Sequence, residues 1–262
     1  MSYSLKVGHL YGDLMNTYGD IGNILVLKHL AKEMGVELDD EVVSLDQPFD
    51  KDKYDIVIFG GGQDFEQSII SKDIQTKKTD LIDFIEDGGS MVAICGGYQL
   101  LGHYYIGANG EKLEGIGALD HYTEKQENHR FIGDVLIENQ ETGEKYRGFE
   151  NHQGITFLGE GERPLGNVLE GYGNNGEDKT EGAIYKNVYC TYFHGPILAR
   201  NNQIAKHVLM NALSRKYPDA DLTTQKETSS FRNILKIKPN KKAFDIKVES
   251  FCYPRFDSLI NV

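Results

Sequence analysis

The sequence predicts an α/β fold: a doubly wound, mostly parallel sheet with additional antiparallel strands. Three observations predict it. Strand-like apolar runs alternate with helical patterns through residues 5–102. Glycine clusters, Gly60-Gly61-Gly62 and Gly96-Gly97, stand where strands end. From residue 131 onward the pattern changes to short runs separated by Gly and Asn turns. A β-α-β-α-β order brings consecutive strands together in parallel, with helices on both faces.

Leu5–Leu10 reads as the first strand, and Tyr11–Asp20 as the loop after it. Gly22–Met34 is helical, with Ile24, Leu27 and Leu30 on one face. Val42–Leu45 is a short second strand. Tyr54–Phe59 is the third, ended by three glycines. A helix over Gln75–Asp87 carries Leu81, Ile82, Phe84 and Ile85, and Gly88-Gly89 stops it. Met91–Ile94 is a buried strand that runs into Cys95-Gly96-Gly97, and Tyr98–Gly102 begins the next helix. Short strands follow at 131–138, 144–149, 156–158, 182–185 and 188–193. They extend the sheet or form a second, antiparallel one. A helix over Asn202–Lys216 closes the compact region.

After Pro218 the composition shifts. Residues 219–262 hold 8 basic and 6 acidic side chains, whereas the whole chain of 262 has 28 against 40. The expected division is therefore a domain at 1–218 and a C-terminal extension at 219–262. Phe231–Ile237 and Phe244–Tyr253 alternate enough for short strands that dock on the body or on a partner; a loosely ordered terminus is the other reading. A net charge of −12 argues against nucleic acid or an anionic membrane as partner. No run of about 18 apolar residues is present to span a bilayer. The N-terminus lacks the basic-then-apolar layout of a secretory leader, so a cytoplasmic location is expected. Cys95, Cys190 and Cys252 are too few for a disulfide framework, and none sits in a CxxC that would suggest zinc.

Met91-Val92-Ala93-Ile94-Cys95-Gly96-Gly97-Tyr98 carries the chemistry. An apolar strand meets a thiol, then two glycines, then a helix: the layout of a nucleophile elbow. The helix N-terminus is expected to lower the thiol pKa, and the Gly96 N–H to face an oxyanion. A thiol nucleophile needs a base. His194 follows the apolar run Val188–Phe193 and precedes Gly195-Pro196. If that run joins the Cys95 sheet in parallel, both side chains emerge at the carboxyl edge, where open α/β sheets bind ligands. His152 is the rival base. Gly60-Gly61-Gly62 could turn N–H groups toward the same place.

Together these stretches resemble a class I (triad-type) glutamine amidotransferase domain, in its cobyric-acid-synthase-like branch. The resemblance rests on Gly60–Asp64, Ala93–Gln99, Glu150–Gly154 and Thr191–Pro196 and covers residues 3–215. Leu10–Asn23 narrows it to the glutaminase subunits of lipid II isoglutaminyl synthase. The resemblance implies a mechanism. Cys95 attacks the side-chain amide of L-glutamine, the Gly61 and Gly96 N–H groups hold the oxyanion, and His194 carries the proton to departing ammonia. Water then releases glutamate from the thioester. Arg130 is implied as the glutamine-binding residue and Gln99 as a second contact. The implied partner is a MurT-type, Mur-ligase-like subunit that uses the ammonia to amidate the D-glutamate of lipid II to D-isoglutamine. ATP and Mg belong with that partner. No metal or cofactor is expected in this chain, which has no GxxxxGK[ST].

One position departs from the wider superfamily. Triad members place an acid two residues after the catalytic His, and here Pro196 occupies that position. Losing the group that orients the base costs about 10⁴ in a serine triad. Glu150 and Glu181 are the local alternatives. The expectation is that the partner supplies or positions the acid. Two other functions stand beside this one: amidation of a different carboxylate such as a corrinoid, and a non-catalytic binding scaffold with a redox-sensing thiol.

Overall fold

The computed structural model describes residues 3–126 and 129–228, which belong to one compact unit. The order begins β1 (Tyr3–Leu10), α1 (Ile21–Glu33), β2 (Val36–Val43), β3 (Ile56–Phe59), α2 (Asp64–Asp73), a 3-10 turn (Ile74–Thr76), α3 (Lys78–Glu86), β4 (Ser90–Ile94) and α4 (Gly96–Leu101). The middle is β5 (Tyr104–Ile106), β6 (Lys112–Glu114), β7 (His121–Lys125), β8 (Phe131–Glu138), β9 (Lys145–His152) and β10 (Gly154–Leu158). It ends β11 (Gly166–Glu170), β12 (Thr180–Glu181), β13 (Ala183–Tyr185), β14 (Val188–Thr191), β15 (Phe193–His194), α5 (Ile197–Arg200), α6 (Asn202–Lys216) and α7 (Thr223–Thr228).

The central sheet runs β13-β14-β4-β3-β1-β2, and only β13 is antiparallel to its neighbour. Every residue of β3 and β4 is buried, because helices or further sheet cover both faces. Register aligns the strand ends: Phe59 pairs with Ala93, and Ile94 with Thr191. Gly60, Cys95 and Tyr192 therefore leave the sheet side by side. The sheets β12-β11-β8-β9-β15 and β10-β7-β5-β6 complete the unit. The first is wholly antiparallel, and the second has one parallel pair, β5 with β7.

Four readings are corrected. The second strand begins at Val36 rather than Val42. It is the sheet edge, so Glu37, Asp39 and Asp40 remain wet and mask the strand pattern. A helix absent from the sequence reading, α2, fills Asp64–Asp73. Its first turn is acidic, as a helix start favours, but only Gln67, Ile70 and Ser71 are buried, so the apolar period is weak. The helix expected over Gln75–Asp87 starts later, at Lys78, after the 3-10 turn. The run 188–193 is not one strand either: β14 stops at Thr191, and Phe193–His194 pairs with Phe149–Glu150 in another sheet. Strands β5, β6, β7, β11 and β12 also lacked a sequence counterpart. The readings at 231–237 and 244–253 lie outside the described residues. No described helix is long and apolar enough to cross a membrane.

Candidate active site

Cys95 sits between β4 and α4 with φ 50° and ψ −105°. A non-glycine residue there is strained at a cost of about 1–3 kcal/mol. The surroundings hold it. Its N–H donates to Thr191 O at 2.9 Å, and the Gly97 N–H donates to Gly60 O at 3.1 Å. Gly97 must be glycine for the helix to come so close: a Cβ would lie 2.5 Å from Phe59 O. The strain turns the thiol out of the sheet and into a pocket of about 490 Å³.

His194 arrives from the other sheet. The Tyr192 N–H donates to Glu181 Oε1 at 2.7 Å, and the Phe193 N–H to Thr191 Oγ1 at 3.0 Å; these bonds turn the chain out of β14. Gly61 lies between thiol and imidazole. A Cβ on it would stand 3.4 Å from Cys95 Cβ and 3.5 Å from His194 Cε1. His194 is buried, and among the described residues no side chain bonds either ring nitrogen; its one polar contact is a weak one to the Asn151 backbone, outside normal hydrogen-bond geometry. The ring of Tyr18 covers it at 4.5 Å between centroids.

Both groups are neutral at rest. Burial pushes the Cys95 thiol up to about 12, nearby Asp20 adds to the rise, and Arg130 opposes it. This corrects the expected thiolate: Cys95 lines the pocket and is only part-buried, yet a helix N-terminus, worth about 0.3–1 kcal/mol, does not offset the desolvation the sulfur meets there. Burial likewise lowers His194 to about 4, with His152 adding to the effect. A neutral imidazole is the form that can accept a proton.

The pocket gathers further expected residues. Arg130 lines it and is exposed, with Nε donating to Asn151 Oδ1 and Nη2 to Asn151 O at 3.1 Å. Gln99 also lines it, but its amide is engaged. Gln67 Nε2 donates to Gln99 Oε1 at 2.8 Å, and Gln99 Nε2 donates to Tyr192 OH at 3.2 Å. His152 stacks on Tyr192 at 3.7 Å, and its Nδ1 donates to Gly154 O at 2.7 Å.

Three readings change. The Gly61 N–H donates to Asp20 Oδ2 at 2.9 Å instead of facing the thiol. Glu150 accepts the Tyr172 and Gly173 N–H groups, at 2.8 and 2.9 Å, and has no bond to His194. Glu181 accepts from Thr191 and Tyr192, and does not reach His194 either. Sequence reasoning assigned no role to Asp20, Tyr18, Asp64, Gln67 or Asn151. One signal pointed at the first two: a ten-residue loop between β1 and α1 exceeds the usual two to six.

Among the described residues, no group of three or more His, Cys, Asp or Glu could hold a metal ion. A neutral thiol, a neutral imidazole and a guanidinium around one cavity suit acyl transfer from a zwitterionic or anionic substrate.

Comparison with known proteins bears on this geometry. Residues 6–202 match the CobB/CobQ-like glutamine amidotransferase domain. The chain is similar to the glutamine-hydrolysing lipid II isoglutaminyl synthase subunit GatD of Streptococcus pneumoniae, at 54% identity over 82% of this chain and 83% of that protein. The Staphylococcus aureus subunit of the same name is 44% identical, over 82% and 86%. A cobyric acid synthase of Listeria monocytogenes is 31% identical over 64% of this chain and 37% of its own. A solved glutamine amidotransferase superposes with a TM-score of 0.51 at 19% identity, over 78% of this chain and 98% of that one. That likeness bears on fold alone.

Proposed function

This chain belongs to the CobB/CobQ-like glutamine amidotransferase family, and from that premise we propose that it is the glutaminase subunit of a lipid II isoglutaminyl synthase. The convergence on Gly61 carries the reading: a strained, outward-turned thiol and a buried, unpartnered imidazole lie against one glycine in an arginine-rimmed pocket.

Arg130 binds the α-carboxylate of L-glutamine and holds the side-chain amide at Cys95. His194 takes the thiol proton as Sγ attacks the amide carbon. The oxyanion that forms meets backbone N–H groups, Gly96 among them. His194 passes the proton to the leaving nitrogen, and ammonia departs. Water, deprotonated by the same imidazole, cleaves the thioester and frees glutamate.

The chain works in the cytoplasm with a MurT-type ligase subunit. ATP and Mg act on that partner, which activates the D-glutamate carboxyl of lipid II for amidation to D-isoglutamine. The partner also supplies the carboxylate that orients His194. Pro196 at the usual acid position and the unpartnered ring nitrogens of His194 support this assignment.

Glutamate release tests the reading. Wild type and Cys95→Ser are assayed alone and with the ligase subunit. Release that needs Cys95 and rises with the partner is expected. No release in any combination leaves only a thiol-bearing scaffold.

A further inference from the structure

Asp20 is a buried acid that the proposed reaction does not use. It ends the loop Tyr11–Asp20 and is fully shielded from solvent. Its Oδ2 accepts the Gly61 N–H at 2.9 Å, and its Oδ1 has no hydrogen-bond partner. Thr17, in the same loop, donates its N–H to Gly61 O at 3.0 Å. Both polar groups of the Gly61 backbone are therefore held by one loop. That loop also lays Tyr18 over His194. It is conformationally loaded, with Tyr11 at φ 51° and Tyr18 at φ 63°.

The same loop leads into contacts with the segment after His194. A Cβ on Gly22 would meet Pro196 Cγ at 2.4 Å, and Asn23 Oδ1 accepts the Leu198 N–H at 3.0 Å. A movement of the loop would therefore be felt at Gly61 and at His194 together.

An N–H committed to a carboxylate is not aimed at a developing oxyanion. Burial raises the Asp20 carboxyl to about 7, and above that pH it is a charged acceptor that competes strongly for the N–H. A carboxylate close to a thiol also disfavours the thiolate. Resting on the glutaminase reading, we infer that Asp20 is a positioning residue that withholds the Gly61 amide and suppresses the Cys95 thiolate until the Tyr11–Asp20 loop shifts. The resting subunit then spares glutamine. Release of Gly61 adds a second oxyanion donor beside Gly96.

Two variants separate the two effects. Asp20→Asn removes the charge and keeps an acceptor for the Gly61 N–H. Asp20→Ala removes both. Glutamate release is measured for the isolated wild type, for each isolated variant, and for all three with the ligase subunit. The rate of Cys95 alkylation by chloroacetamide, which tracks the thiolate fraction, is followed from about pH 6 to 9. Arg130, Asp64 and, above its own value of about 7, Asp20 are the charged groups acting on that thiol, with His194 and His152 beside it in the pocket.

Both variants are expected to shift the alkylation profile toward lower pH. Asp20→Ala is also expected to raise isolated-chain turnover at least ~10-fold, part of the ~10²–10³ that one oxyanion donor is worth. Stimulation by the partner shrinks accordingly. A folded Asp20→Ala with no gain in turnover overturns the inference, as does an unshifted profile. If Asp20→Ala fails to fold, the Asp20→Asn profile decides: a shift to lower pH supports the inference, and no shift overturns it. Release by wild type plus partner without any gain in the variants sinks this inference alone. No release by that pair sinks the glutaminase reading and this inference with it.

Discussion

Cys95 is pulled two ways. Its backbone turns the sulfur out toward the pocket, while the packing around it keeps the proton on. The Cys95–His194 pair is built to ionise only with help from substrate, loop or partner. Among the described residues Arg130 is the cation that lines the pocket, and Asn151 holds its guanidinium by two bonds. Arg130→Ala should raise the KM for glutamine about 10- to 100-fold, the value of a charge-assisted hydrogen bond of about 1.5–3 kcal/mol. Steady-state kinetics with the assembled complex checks this, with kcat changing far less. Arg130→Lys should recover only part of the loss, because an ammonium lacks the planar fork. At this scale the sequence was legible where chemistry is local. Cys95 and His194 stood at strand ends with glycine beside them. Asp20 did not, because nothing within its own stretch shows that Gly61, 41 positions away, will be its partner.

At the scale of elements, the site depends on how closely α4 crosses the end of β3. Gly97 permits that approach, and an added Cβ would meet Phe59 O at 2.5 Å and Gly60 O at 2.9 Å. Backbone oxygens cannot swing aside as a flexible side chain can. Gly97→Ala should cost about 1–3 kcal/mol, the usual range for overpacking. Thermal unfolding should show a drop of several degrees, and glutaminase activity should fall with it because the elbow shifts. Elements with strong apolar runs, such as β3 and β4, were legible. Elements at a wet edge or with a mostly polar surface, such as β2 and α2, were not. Their stability comes from neighbours in the fold rather than from their own period.

Across the whole molecule, the site lies at a seam. The central sheet delivers Gly60 and Cys95, and the wholly antiparallel sheet delivers His194 through β15. Glu181 anchors the switch between them, and burial pushes its carboxyl up to about 8. A carboxyl raised in the folded state contributes stability that is fully present below its unfolded value near 4.5. That contribution is lost as pH rises through about 8. Wild type should therefore lose stability relative to Glu181→Gln between pH 5 and 8, whatever the offset between them at pH 5. Melting temperatures of both across that range would show the gap moving in favour of the variant. A constant gap would mean that Glu181 does not titrate there.

The class of fold, the position of the elbow and the family are legible in the order of amino acids alone. Those depend on patterns a few residues long: apolar runs, glycine pairs, a thiol between strand and helix. The departure of the chain from β14 before His194, the hold of Asp20 on Gly61 and the burial that keeps thiol and imidazole neutral emerge only in the folded chain. Strand pairing and desolvation are set by residues distant in the chain. A local pattern has no access to them until the core has closed.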